Sequence, residues 1–187
     1  MAWTKTWGGL RDEIIRLGFE SASDAATVKE NLPTIIDAAN RSIEINNEFI
    51  PAIARMSKVK SSSGIERVEL PGRLDHVTVE TDYILPYSNY QTEPGNVIVL
   101  FEAGTYNIFY EKELTKITDS TADDFVLEND LHVLELIPVF AAYYVWLDDD
   151  IQKAMTYYNQ YTETRNEIYQ KLQTDVQSVQ GVVIGGF

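Results

Sequence analysis

Three consecutive aspartates, Asp148, Asp149 and Asp150, form the densest set of potentially reactive side chains in this sequence. Grouped carboxylates can hold calcium or magnesium, hard cations that take oxygen ligands. Calcium loops, however, place their ligands at alternate positions around a glycine bend, and that spacing is missing here. The same residues suit a helix start, where aspartate caps orphan N–H groups and opposes the helix dipole. Asp123 and Asp124 make a weaker acidic pair. The two histidines, His76 and His132, stand in different segments with no carboxylate or thiol at a motif spacing, so neither a zinc-protease motif nor a finger is present. Ser63-Gly64 lacks the glycine frame of a nucleophile elbow. Gly8-Gly9 and Gly185-Gly186 lack the lysine and serine of a phosphate loop. The sequence therefore suggests no catalytic, metal or cofactor site.

The totals narrow the class further. A chain of 187 residues with 44% hydrophobic and 24% charged residues is that of one folded domain with a real core. No run of about 20 apolar residues is present to span a membrane, and the first residues lack the apolar core of a signal peptide. The absence of cysteine removes disulfides and thiol chemistry together. With 29 acidic residues against 15 basic, the net charge is −14, which repels nucleic-acid phosphates. Three uses of that charge remain open: solubility, the wall of a passage through which DNA slides, or mimicry of DNA. Lys58, Lys60, Arg67 and Arg73 give a thin positive area suited to an acidic partner.

Periodicity divides the chain into helical ends and a β-rich middle. Trp3, Trp7, Leu10, Ile14 and Leu17 mark one face of a first helix over about 3–17, with Gly18 where a cap would need φ > 0. Thr27 and Glu30 have capping-box spacing, but Pro33 suggests that the second helix starts there and runs to residue 50, ended by Pro51. From about 57 to 118 the period is two. Val77, Val79 and Thr81 read as a half-buried strand. Val97–Phe101 and Tyr106–Tyr110 read as a hairpin through Glu102–Thr105. Asp130 is placed to cap a largely apolar helix over 131–147, broken or bent at Pro138. A last helix follows over about 150–175, carrying Tyr157, Tyr158, Tyr161 and Tyr169 against Tyr143 and Tyr144. Interior packing accounts for most of these rings, and tyrosine also suits subunit contacts. The expected fold class is α+β, a bundle of about four helices with an inserted antiparallel sheet region in a single domain. A C-terminal arm over about 177–187 ends in Val182, Val183, Ile184 and Phe187, apolar residues suited to adding a strand to a partner or inserting a ring into one.

The run from Ile137 to Tyr158, with Tyr161 and Arg165, resembles the C-terminal helices of tailed-phage head–tail connector (adaptor) proteins. Residues 106–118 and the helix over 31–50 look similar to phage neck components. The family's compact members are mostly helical, and the β-rich middle departs from them. The resemblance implies a structural, non-enzymatic virion protein at the head–tail junction, assembled in the host cytoplasm. It implies a ring, commonly of twelve copies, seated under the portal, extending the DNA channel and meeting the next neck or tail-completion protein. A terminal arm reaching into the portal points to Val182, Val183, Ile184 and Phe187, and Asp148–Asp150 becomes a channel or helix-cap feature. An acidic DNA-mimic inhibitor of a DNA-binding enzyme is the alternative.

Overall fold

The computed structural model describes residues 5–19, 25–79, 83–84 and 89–180. The fold is α+β. Met1–Ile50 and Lys116–Phe187 make one compact unit, which is helical, and Pro51–Thr115 make a second, which is β.

Helix α1 (Trp7–Gly18) starts where the Thr6 hydroxyl accepts a hydrogen bond from Gly9 N, one of the donors a helix start leaves orphaned. Trp7, Leu10, Ile14 and Ile15 are buried, so the apolar face expected from spacing is the packed one. Trp3 lies outside the described residues. Gly18 does not serve as a positive-φ cap. Among the described residues positive φ occurs at Gly64, Gly95 and Asn96. A Cβ on Gly18 would stand 3.1 Å from Val145 Cγ1, so this glycine allows close helix approach instead.

Helix α2 (Ala25–Phe49) begins eight residues before the expected start, with Pro33 inside it. Proline forfeits one backbone bond and crowds the preceding turn. The helix continues because Ile35, Ala38, Ala39 and Ile43 form a buried face beyond it, and packing outweighs the local penalty. It ends, as expected, just before Pro51.

The expected helix over 131–147 is two elements. Asp130 Oδ1 accepts from His132 N at 2.9 Å, capping a 3-10 turn over Leu131–Val133. Helix α3 then spans Leu136–Trp146. Pro138 sits in the first turn of α3, where its missing N–H leaves no bond unmade, so it marks the start of that helix rather than a bend. Helix α3 packs against α1, against α2 and against α4 (Ile151–Gln180), which explains its nearly unbroken apolar sequence. At 30 residues, α4 is longer than expected and rises about 45 Å, against about 16 Å for α3.

Among the described residues the β unit holds seven antiparallel strands: β1 (Ile53–Lys60), β2 (Glu66–Glu69), β3 (Leu74–Val79), β4 (Tyr83–Ile84), β5 (Tyr90–Glu93), β6 (Val97–Leu100) and β7 (Gly104–Glu111). One sheet has the order β1-β7-β3-β4 and the other β2-β6-β5. The hairpin expected between residues 97–101 and 106–110 does not form, because β6 and β7 belong to different sheets. Strand β6 instead makes a hairpin with β5, with Glu93 opposite Val97 across Pro94-Gly95-Asn96. Its turn needs positive φ at Gly95 and Asn96 (85° and 58°), which glycine and asparagine tolerate. The inward faces share one core, with Met56, Val77, Tyr106 and Ile108 from the first sheet and Val68, Tyr90, Ile98 and Leu100 from the second.

Candidate interaction surfaces

The aspartate corner divides by role. Asp150 Oδ1 accepts from Gln152 N at 3.0 Å and Lys153 N at 3.1 Å, so Asp150 caps α4. Asp148 and Asp149 lie exposed on the preceding turn. Among the described residues no three His, Cys, Asp or Glu side chains are grouped to hold a metal ion. Val182, Val183, Ile184 and Phe187 lie outside the described residues.

The tyrosines join α3 to α4. Phe140 is 4.8 Å from Tyr161 between ring centroids, and Tyr143 is 5.2 Å from Tyr158, both tilted, the geometry aromatic pairs prefer. Tyr161 is buried and its hydroxyl has no partner among the described residues. Burial raises its pKa, with Tyr158 adding to the shift and the Arg165 charge opposing it. Trp146 Nε1 donates to Leu17 O at 2.9 Å while Lys153 stands over the indole at 4.1 Å, so one side chain ties the end of α1 to the start of α4.

The histidines are held locally. His76 stacks on Phe109 at 4.2 Å with Nδ1 2.6 Å from Asp75, and His132 Nδ1 is 2.7 Å from Asp130. The expected positive area is largely spent on internal pairing. Lys58 meets Glu66 at 2.7 Å, Arg67 meets Glu93 at 2.8 Å, Arg73 pairs with Glu111, and buried Lys60 donates to Ser62 O. The hydrogen bond from Arg67 holds the Glu93 carboxyl below the usual carboxylate range.

The acidic charge is unevenly shared. Residues 1–50 and 116–187 contain 20 acidic and nine basic residues, net −11, whereas residues 51–115 contain nine and six, net −3. Along α2, Glu30, Asp37 and Glu44 recur every seventh residue with Glu48 one turn further, and all four are exposed. They form one carboxylate stripe about 27 Å long. Arg41 partly offsets it by pairing with Asp37 at 3.0 Å. The seven-residue acidic repeat stands in the sequence, beside the apolar positions Ile36, Ala39, Ile43 and Ile50 that mark the buried side of the helix.

Two further surfaces belong to the helical unit. Ile151, Met155, Tyr158 and Tyr169 are exposed on α4 at spacings that, with exposed Arg165, place them on one ridge free of carboxylates. A cleft of about 520 Å³ lies between the start of α1 and the 3-10 turn, lined by Lys5, Gly9, Glu13, Leu131, Leu134 and Glu135. Lys5 Nζ bridges it, 2.5 Å from Glu13 Oε2 and 3.4 Å from Leu134 O.

No protein-family model matches the chain, and no curated protein does. The functional reading therefore rests on the surfaces themselves.

Proposed function

We propose that the chain is a structural protein of a tailed-phage neck. In this reading copies form a ring under the portal, and the helical unit extends the channel through which DNA passes. The observation that carries it is the exposed carboxylate stripe of α2 on a unit of net charge −11. A wall that must let DNA slide works by repulsion at short range. At physiological salt the field decays over about 8 Å, so an acidic helix face discourages contact without closing the passage. The stripe of α2 suits that role better than the Asp148–Asp150 corner, since Asp150 is engaged as a helix cap.

The DNA-mimic reading fares worse on charge density. A duplex carries one charge per about 1.7 Å of axis, or about 16 over the length of this stripe, where α2 offers four carboxylates.

The Val182–Phe187 segment is the arm proposed to reach the portal, with the next neck or tail-completion protein on the opposite side of the ring. Co-sedimentation with a portal ring tests this assignment. The full chain is expected to bind, and a chain ending at Gln180 is expected to keep its circular dichroism and lose binding. Unchanged binding of the shortened chain would reject the arm. Failure of the full chain to bind, together with tight competition against DNA for a nuclease, would reject the neck assignment.

A further inference from the structure

The α4 ridge and the α1 cleft lie in the same helical unit, and their chemistry is complementary. Arg165 and Tyr169 are exposed and one turn apart on α4, and Tyr169 is 52% exposed. The cleft presents Leu131, itself 56% exposed, beside buried Leu134, with Glu13 and Glu135 against one ammonium, Lys5. Ile168, next to Tyr169, packs in the same cluster as Val133, which lies between Leu131 and Leu134. They are carried by different helices, α4 and α1, each packed on α3.

We infer that Tyr169 of one copy fills the cleft beside Leu131 and Leu134 of the next, with Arg165 facing Glu13 and Glu135. The inference rests on the proposed ring and names its lateral contact. Charge selects this arrangement over the symmetric ones. Ridge against ridge sets Arg165 beside its own copy, and cleft against cleft sets Glu135 beside its own copy while Lys5 holds each Glu13, whereas ridge into cleft brings Arg165 to Glu135. A contact between two different patches leaves one ridge and one cleft free on each pair of copies, and such head-to-tail contacts close into rings when the rotation permits. Tyrosine and arginine are also among the residues enriched at interface hot spots.

The absence of cysteine from the chain makes the test clean. Full-length Leu131→Cys and Tyr169→Cys variants, mixed in the presence of the portal ring and treated with a short bismaleimide, are expected to give a crosslinked dimer that neither variant gives alone. Tyr169→Ala should weaken assembly by about thirtyfold, as expected for an interface hot spot, with unchanged circular dichroism, and Tyr169→Phe should largely restore it. Ring-sized particles without the mixed crosslink, or with Tyr169→Cys linking to itself, would overturn the contact while leaving the ring standing. Absence of any ring-sized particle, with and without portal, would remove the ring and the contact together.

Discussion

Asn40 holds the backbone of Ile117 in both directions, its Nδ2 donating to Ile117 O at 2.8 Å and its Oδ1 accepting from Ile117 N at 2.9 Å. Ile117 is 2% exposed and stands where the chain re-enters the helical unit. A single α2 side chain thus satisfies both backbone groups of a residue that lies in no strand or helix. Replacing Asn40 with leucine strands a buried donor and a buried acceptor together, at about 1–3 kcal/mol each. Urea unfolding of Asn40→Leu is expected to show a loss of about 2–6 kcal/mol, and a loss below about 0.5 would mean that the bridge is idle.

The same helix shows where sequence reading stops. Ser42, Asn46 and Asn129 are buried polar residues, with Ser42 Oγ donating to Ile137 O at 2.6 Å and Asn129 Nδ2 to Ile43 O at 3.1 Å. Asparagine and serine on an apolar face look like surface residues until the backbone they satisfy is known. The strands show a related limit. Three of the four residues of β6 are buried, so no alternation reveals its neighbour, and the Glu102–Thr105 segment imitates a hairpin turn although Gly104 and Thr105 already belong to β7 in the other sheet. Pro94-Gly95-Asn96 carries the true turn signal. What was legible rests on strong local physics: the apolar face of α1, the stop at Pro51, the cap at Asp150, and the change from period 3.6 to period two. The carboxylate stripe follows from the apolar spacing of α2, whereas the cleft was not legible, because it depends on α1 meeting the Leu131–Glu135 segment.

The aspartate corner should divide energetically as it does structurally. Asp150→Ala removes the acceptor for two N–H groups of α4 and is expected to cost about 1 kcal/mol. Asp148→Asn and Asp149→Asn should each stay within about 0.5 kcal/mol of the parent. Thermal unfolding of the three variants at neutral pH checks this, and equal losses would assign the corner a shared structural role.

Tyr161 has a buried hydroxyl without a partner among the described residues, so Tyr161→Phe is expected to stabilise the protein by about 1 kcal/mol. The sign of the pH effect follows from its raised pKa. The folded state favours the neutral phenol, so this contribution is whole below the ordinary tyrosine value of about 10 and falls as pH rises through the raised value. Urea midpoints measured at neutral and strongly alkaline pH should therefore diverge less in Tyr161→Phe than in the parent. Equal divergence would show that other groups govern the alkaline loss.

Gly72 is expected to tolerate no side chain. A Cβ there would stand 1.9 Å from the Glu111 carbonyl oxygen, so Gly72→Ala must displace backbone. A loss of about 1–3 kcal/mol follows from such overpacking. Hydrogen exchange should show it as faster exchange in β3 and β7, with α1 and α3 unaffected. Unchanged exchange in β7 would contradict the close approach.

The neck assignment itself is tested most directly by negative-stain imaging of portal rings incubated with the full chain. The expected result is class averages with an added ring of density, of the portal's rotational symmetry, coaxial with the channel. Portal averages identical with and without the chain, at concentrations where the chain displaces DNA from a nuclease, would contradict it.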